Sequence, residues 1–277
     1  MKNDADVRFN PVLAAESVFS DYKSYLKSTF EFSDTSIRSE FDAALENQIA
    51  LSAGPFIQSN PPYLGSHSVA DLVNEGILNE RLMELPNSAL PVNRPLYMHQ
   101  EQTIRKILNR RNLIVATGTG SGKTESFLLP IINDLLNEGM EEGSLDPGVR
   151  ALLLYPMNAL ANDQMGRIRS LLQPYSDITF GRYIGDTKPS YEDARKLHIR
   201  RFGCEPQINE LVSREEMQKT PPHILVSNFS MLEFLLLRPE DHSFFDGEFA
   251  RKWKFIVLDE VHSYQGAQGA ELSMLMR

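Results

Sequence analysis

The spacing of apolar residues divides the chain into two parts that meet near residue 95. In the first 52 residues, apolar side chains recur at intervals of three and four, the period of an amphipathic helix. They are Leu13, Val18, Phe19, Tyr22, Tyr25, Leu26 and Phe30, followed by Ile37, Phe41, Leu45 and Ile49. The run 33–36 between these two stripes has the residue types of a helix N-cap. We predict helices here, with their apolar stripes packed in a core.

The remainder of the first part is less regular. Glycines and prolines at 53–65 indicate an irregular stretch, and a short helix is predicted from Val69 to Glu75. Prolines at positions 86, 91 and 95 then indicate a connector. Residues 1–95 are therefore interpreted as a mostly helical N-terminal accessory region.

From Leu96 onward, short apolar runs alternate with helical patterns, as in a parallel sheet covered by helices. Candidate strands are 113–116, 151–155, 179–184, 224–227 and 255–259, and candidate helices are 99–108, 123–136, 159–172, 191–202 and 230–237. The acidic stretch 138–147 is interpreted as a solvated loop. The predicted fold class is α/β, with residues 96–277 as one domain built on a parallel central sheet.

Composition narrows the choice of function only slightly. The chain has 277 residues and a net charge of −9. This charge argues mildly against a protein that binds nucleic acid over its whole surface, but it permits a local groove that binds a strand. A single cysteine, Cys204, excludes an internal disulfide and a zinc site made of several cysteines. The start has no signal-peptide pattern, and the most apolar run, 231–237, is too short to span a bilayer. We predict a cytoplasmic protein without a membrane partner.

The strongest chemical signal is the glycine-rich run 116–124, which follows the apolar run 113–115 and leads into a helical pattern. Its candidate phosphate-binding residues are Thr117, Gly118, Thr119, Gly120, Ser121, Gly122, Lys123 and Thr124. Glycines let the backbone N–H groups turn towards a phosphate chain at the helix start. Lys123 is predicted to reach the β- and γ-phosphates, and the Thr124 hydroxyl to bind Mg²⁺. Thr117 departs from the P-loop pattern, which has glycine at that position.

A second signal is a pair of acids, Asp259 and Glu260, at the end of the apolar run 255–258. In a parallel sheet, ligands bind beyond the carboxyl ends of the strands. Asp259 is therefore predicted to complete the Mg²⁺ shell begun by Thr124, and Glu260 to accept a proton from the water that attacks the γ-phosphate.

Together these motifs resemble the first RecA-like domain of a superfamily 2 DEAD/DEAH-box helicase, with residues 259–262 as a D-E-V-H box. A small residue other than glycine at Thr117 is frequent in that superfamily. The run 97–100 resembles the adenine-reading Q motif, which makes Gln100 a candidate adenine contact. The resemblance implies ATP and Mg²⁺ as cofactors and gives His262 a role in coupling ATP to strand movement.

Three further runs resemble the loops that contact the nucleic-acid backbone in such helicases. The run 155–164 resembles motif Ia, with a residue pattern typical of the MrfA-like branch. Residues 185–187 and 227–228 match two loops further along the chain that contact the nucleic-acid backbone in such helicases. The candidate contacts are Pro156, Asn158, Gly185, Asp186, Thr187, Ser227 and Asn228. The implied partner is a nucleic-acid strand, single-stranded or tailed DNA above all, held through its phosphates with little sequence preference.

Residues 1–95 resemble the helicases of Druantia-type bacterial anti-phage systems more than repair enzymes, so other defence-system proteins are expected partners. The superfamily also implies a second RecA-like domain that supplies an arginine finger. We therefore interpret the chain as an N-terminal fragment, with its ATP-binding domain truncated at the C-terminal end. Alone it is expected to bind ATP and to hydrolyse it slowly.

Three other functions fit the same motifs: an RNA motor, a duplex-DNA translocase subunit of a restriction or defence complex, and a binding module that nucleotide merely switches. The basic run 195–201 also has two interpretations. It can be a phosphate-binding face or an ordinary solvated helix face, which is the more frequent case.

Overall fold

A computed structural model describes residues 10–46, 62–118, 120–247 and 249–276, in two compact units, residues 1–62 and 63–277. The first unit contains the helices α1 (Pro11–Thr29) and α2 (Thr35–Glu46). Asn10 Oδ1 accepts the Val12 amide at the start of α1, and Asp34 Oδ1 accepts the Ser36 amide at the start of α2, which confirms the predicted cap.

The predicted core packing of these helices is wrong for the described part of the first unit. Most of their apolar residues, such as Val18 and Tyr25, are exposed, and only Leu45 is buried. The two described helices by themselves offer too little surface to enclose a core. Ile49 lies outside the described residues.

The second unit is built on a five-stranded parallel sheet with the strand order β5-β4-β6-β3-β7. Its strands are β3 (Ala151–Tyr155), β4 (Phe180–Arg182), β5 (Glu210–Leu211), β6 (Ile224–Asn228) and β7 (Phe255–Leu258). Its main helices are α4 (Met98–Leu108), α5 (Lys123–Glu142), α6 (Asn158–Leu172), α7 (Tyr191–Phe202), α8 (Arg214–Lys219), α9 (Phe229–Leu237) and α10 (Gly266–Leu275). Short 3₁₀ turns lie at Glu80–Glu84, Pro239–Phe244, Ala250–Lys252 and Val261–Ser263. The α/β prediction is confirmed.

Side chains of the interior strand β3 alternate between the two faces of the sheet, as the pleat requires. Ala151, Leu153 and Tyr155 pack in one buried cluster with α5 and α6, whereas Leu152 and Leu154 pack in the other with α9. Both faces are apolar because helices cover both, which explains the continuous apolar run of this strand.

Residues 63–95 pack with the sheet rather than forming a loose connector. The strand β1 (Gly65–Ser68) pairs antiparallel with β2 (Pro95–Tyr97), and helix α3 (Val69–Asn74) follows β1 as predicted. Leu82 and Leu90 are fully buried in the same cluster as α5. The leucines between the prolines decide this packing, so the compact unit begins at Tyr63, ahead of the predicted boundary at residue 96.

Two local predictions are wrong. The run 113–116 forms no strand, because it has no hydrogen-bonded neighbour in the described sheet. Ile114 of this run is 90% exposed. The neighbouring position in the sheet is also open, since Ile256 of the edge strand β7 is 55% exposed. β-structure depends on such pairing more than on apolar residue type. The acidic stretch predicted as a loop at 138–147 begins as helix, since α5 continues to Glu142 over buried Leu135 and Leu136. No helix in the described residues is long and apolar enough to cross a bilayer.

Candidate nucleotide and nucleic-acid site

The glycine-rich turn adopts the backbone conformation that its sequence predicts. Gly120 and Gly122 have φ of 73° and 69°, in the left-handed region that favours glycine. A Cβ on Gly122 would lie 2.5 Å from Gln100 Nε2 and 2.9 Å from Glu125 Oε2, so only glycine fits. Lys123 Nζ donates to the Thr117 carbonyl at 3.1 Å, which keeps the ammonium inside the turn. Thr119 lies outside the described residues.

The residues that resemble a Q motif contact this turn. Gln100 is 1% exposed; its Nε2 donates to the Gly122 carbonyl at 2.8 Å and its Oε1 accepts the Tyr97 amide at 2.8 Å. His99 Nε2 lies 2.9 Å from the Ser121 carbonyl oxygen. Gln100 thus ties helix α4 to the phosphate turn, and its contact with adenine stays a prediction.

Thr124 and Asp259 belong to the same side of the sheet. Thr124 Oγ1 donates to Gln164 Oε1 at 3.3 Å, which joins the start of α5 to α6. Asp259 continues the β3–β7 ladder, because its amide donates to the Leu154 carbonyl at 3.0 Å. Alternation along β7 places Asp259 on the face of Val257, which is the face of α5 and α6. The turn that contains Lys123 and Thr124 therefore lies on the same face of the sheet as Asp259. Both are at the carboxyl ends of the strands, which we call the carboxyl edge.

Two buried tyrosine hydroxyls near Asp259, those of Tyr155 and Tyr264, have no hydrogen-bond partner in the part of the chain that the structure describes. Leu154 of β3 pairs with Leu258 of β7. The residues that follow them, Tyr155 and Asp259, are therefore neighbours on one face of the sheet. Burial, and then the charge of Asp259, raises the pKa of Tyr155, and the same causes raise the pKa of Tyr264 to about 12. Orphaned buried donors cost free energy, and here they mark the edge where a ligand is expected.

Glu260 has a φ of 47°, one of two positive values among the described residues other than glycine. Such a conformation is costly for an ordinary side chain and is frequent at functional sites. His262 Nδ1 lies 3.3 Å from Glu260 Oε2, and the imidazole is largely exposed. The structure therefore joins the predicted proton acceptor to the predicted coupling residue.

A magnesium ion fits this donor set. The described residues contain no group of three or more His, Cys, Asp or Glu side chains that could hold a metal alone. Mg²⁺ prefers one or two protein oxygens together with waters and phosphate oxygens, which is what Thr124 and Asp259 could offer.

Sequence reasoning missed an acid beside the turn. Glu125 is buried in the first turn of α5, where its Oε1 pairs with Arg167 and lies 3.8 Å from Arg94 Nη2. Its second oxygen has no hydrogen-bond partner within the described ranges. The available signal was an acid within an otherwise apolar helical stripe.

An aromatic cluster beside the turn was also missed. Tyr63 lies 5.2 Å from Tyr97 and 5.5 Å from His99, measured between ring centroids. Its hydroxyl would lie 2.7 Å from a Cβ on Gly118. Only the tertiary packing of residues 63–95 brings Tyr63 here.

The predicted nucleic-acid loops meet in part. Asn228 Nδ2 donates to Asn158 Oδ1 at 2.6 Å, which links the loops after β6 and β3. Pro156 is partly exposed at the same edge. Ser227, in contrast, is fully buried and donates to the Tyr183 carbonyl at 2.7 Å, so its hydroxyl holds the sheet together and is not available to a strand.

In the loop after β4, Gly185 and Asp186 are exposed but Thr187 is buried. The Thr187 hydroxyl donates to the Arg182 carbonyl at 2.9 Å and accepts the Ile184 amide at 3.0 Å. Arg214 Nη2 donates to the Gly185 carbonyl at 3.0 Å. Thr187 thus shapes the loop, while its neighbours form the surface.

Comparison with known proteins places this geometry in a family. The family described as DEAD/DEAH box helicase matches residues 97–277. The Druantia protein DruE of Escherichia coli (strain UMEA 4076-1) is 28% identical over 350 aligned positions, which cover 95% of this chain and 19% of that protein. The uncharacterized ATP-dependent helicase YprA of Bacillus subtilis (strain 168) is 28% identical over 183 positions, 66% of this chain and 20% of that protein.

Among solved structures, the DUF1998 helicase MrfA bound to DNA and AMPPNP is 26% identical with a TM-score of 0.52, covering 72% of this chain and 23% of that one. The helicase Lhr of Mycobacterium smegmatis bound to ssDNA and AMP-PNP has a TM-score of 0.52 at 23% identity over 73% of this chain and 22% of that one, a likeness of fold. The predicted resemblance to MrfA-like and Druantia-type helicases is confirmed. This chain spans about a fifth of the length of the curated relatives it matches.

Proposed function

Because the chain belongs to the DEAD/DEAH box helicase family, we propose that residues 96–277 form the ATP-binding first motor domain of an ATP-dependent DNA helicase or translocase. The observation that carries this proposal is the shared face of Thr124 and Asp259 at the carboxyl edge of the sheet. Residues 1–95 then form an accessory region, of which residues 63–95 pack on the motor.

The phosphates of ATP would lie in the turn 117–124. Lys123, which now donates to main-chain carbonyls of that turn, would donate to the β- and γ-phosphates instead. Thr124 and Asp259 would hold Mg²⁺, which when bound neutralises charge on those phosphates. The edge of the Tyr63 and Tyr97 rings beside Gln100 offers an apolar surface for the adenine.

Glu260 would accept the proton of the attacking water, and His262 would couple the state of that carboxylate to the strand-binding loops. The 3.3 Å contact between these two side chains supports this pairing of roles. We expect turnover to require a second RecA-like domain that supplies an arginine finger, as the helicase resemblance implies.

A single strand would cross the carboxyl ends of β3, β6 and β4 in the order in which these strands are adjacent in the sheet. Asn158 and Asn228 would contact its phosphates at the first two strands, and Gly185 and Asp186 would lie beside it at the third. The similarity to MrfA, solved with DNA, favours DNA over RNA. Equilibrium binding of single-stranded DNA and of RNA of equal length to the chain would decide between them.

Nucleotide binding by the chain tests the proposal directly. Lys123→Ala removes the ammonium that would meet the phosphates, so affinity for a fluorescent ATP analogue with Mg²⁺ should fall at least about tenfold, or 1.4 kcal/mol. The matched control is Lys106→Ala, an exposed lysine on α4 outside the turn, which should bind as the unmodified chain does. Equal affinity of both variants would remove the basis of the motor assignment.

A further inference from the structure

A basic cleft separate from the nucleotide site opens between α6, the loop after β4, and α7. These three elements contribute Arg169, Lys188 and Arg201, and the end of β4 contributes a fourth cation, Arg182. The buried His198 of α7 also lines it. The predicted nucleic-acid loop 185–187 borders this cleft, and α7 contains the basic run whose role the sequence left open.

The basic run of α7 divides between two faces of the helix. Arg201 lines the cleft together with Leu197 and His198, which precede it by four and three residues and so lie on the same side of the helix. Lys196 and Arg200 do not line it and are exposed. Part of the run is therefore an ordinary solvated face, and part of it closes a cleft with Arg182 of the sheet.

Positive charge exceeds negative charge inside the cleft. Glu210 is matched by Arg169, whose Nε and Nη2 donate to its two oxygens at 2.8 and 2.6 Å. Asp186 is shared by Arg201 at 3.3 Å and Arg182 at 3.7 Å. Two acids thus face four cations, and Lys188 forms no ion pair with any described residue.

The arginines are also crowded. Burial lowers the pKa of Arg182, and the charges of Arg201 and Arg169 lower it further against the opposing effect of Asp186. A group in that position gains from an added anion, because the anion compensates both the burial and the like charges.

A second, independent feature points to a ligand. His198 is 6% exposed, and its Nε2 has no hydrogen-bond partner among the described residues. Its Nδ1 lies 3.9 Å from Glu210 Oε1. A buried ring nitrogen without a partner is costly, and His198 lines the same cleft as the arginines. The guanidinium groups that line the cleft beside His198 suit the oxygens of a phosphate.

We propose that this cleft binds a backbone phosphate of the single strand after it passes the loop 185–187, so that α7 lengthens the strand-binding track. The inference rests on the proposed function, because it assumes that a strand crosses the carboxyl ends of β3, β6 and β4. Asp186 and Thr187 line both the loop and the cleft, which makes the track continuous. The β4 end lies next to the last strand of the sheet, so the path over the sheet ends here.

Adjacent arginines on α7 provide a matched test. Arg201→Glu reverses a charge inside the cleft and Arg200→Glu reverses one outside it, so both change net charge equally. Binding of fluorescent single-stranded DNA of about 12 nucleotides to the chain should weaken about tenfold for Arg201→Glu only. Its salt dependence should lose about 0.7 in slope, the value for one phosphate contact with a single strand.

Three further measurements interpret the result. Lys188→Glu, compared with Lys196→Glu, repeats the test at a side chain outside the ion-pair network and so separates binding from folding. Affinity for the Mg²⁺-bound ATP analogue should stay unchanged in all four variants. An oligonucleotide of about 5 nucleotides, too short for the whole track, should lose less affinity than the longer one on Arg201→Glu.

Equal weakening by Arg201→Glu and Arg200→Glu, or by both lysine variants, would mean a general charge effect and would overturn the cleft assignment alone. Failure of the unmodified chain to bind either strand would instead overturn the proposed function, and the cleft assignment with it.

Discussion

The two ends of the strands of this sheet contrast in how their polar groups are satisfied. At the amino ends of the strands, which we call the amino edge, Arg150 is fully buried just before β3. Its guanidinium donates to Glu138 and to the carbonyls of Asp146 and Gly148. Lys254 Nζ donates to Glu138 at 2.8 Å. At the carboxyl edge, the hydroxyls of Tyr155 and Tyr264 are buried without partners.

This difference distinguishes polar groups that stabilise the fold from polar groups at the proposed ligand site. The amino-edge charges neutralise one another, and the pKa of Glu138, which burial alone would raise, is lowered to about 2 by hydrogen bonds from Arg150 and Lys254. The carboxyl edge instead has orphaned donors, an acid at the end of a strand and a residue with positive φ, Glu260. A buried polar group thus points to a ligand site where it lacks a partner, and to stabilisation where its partner is part of the fold.

The largest effect is expected at the amino edge. Glu138→Ala would leave Arg150 buried without a carboxylate and should lower the free energy of unfolding by about 3–5 kcal/mol, measured by urea denaturation. Replacing both partners, with Glu138→Leu and Arg150→Met, should restore most of that loss, because no unpaired charge remains. If the double variant were as unstable as Glu138→Ala, the unpaired charge of Arg150 would not be the cause of the lost stability.

A smaller effect is expected from pH at the same edge. Burial, and then the charge of Arg150, lowers the pKa of His223 to about 4, and Nδ1 accepts the Thr179 amide at 2.9 Å. A histidine with a lowered folded pKa stabilises the fold above its unfolded pKa of about 6.5. That contribution is lost as pH falls from about 6.5 to about 4, up to about 3 kcal/mol.

Urea unfolding of the chain and of His223→Gln between about pH 7 and pH 4.5 isolates this effect. The difference in unfolding free energy between the two should shrink as pH falls, because only the unmodified chain has a histidine to protonate at this position. Glu138 does not interfere, since its lowered pKa acts only below its unfolded value of about 4.5. A difference independent of pH would contradict the assignment.

The smallest change in stability is expected at the carboxyl edge, from Tyr155→Phe. Removing an orphaned hydroxyl should change the free energy of unfolding by less than about 1 kcal/mol, yet affinity for the Mg²⁺-bound ATP analogue should fall about threefold, because the hydroxyl neighbours Asp259. Tyr175→Phe is the control: its buried hydroxyl donates to the Arg81 carbonyl at 2.9 Å, so that variant should lose about 1 kcal/mol and bind normally.

The sequence predicted the elements whose local and tertiary requirements agree. The strand 151–155 and the helix 191–202 have the bounds that their patterns predict, and the glycines of the phosphate turn take the conformation that only glycine accepts easily. The candidate site followed from motif order, because strands of a parallel sheet deliver their carboxyl ends to one edge. What the sequence missed, such as Glu125 and Tyr63, lies in no recognisable motif.

The sequence by itself determined the alternating strands and helices, the phosphate turn and the acids at a strand end, because these depend on residue type and spacing. The tertiary structure decided that residues 63–95 belong to the sheet unit, that the run 113–116 is unpaired, and that Ser227 is buried. It also decided that part of a basic run closes a cleft. Pairing and burial depend on which distant segments meet, and no local pattern encodes that meeting.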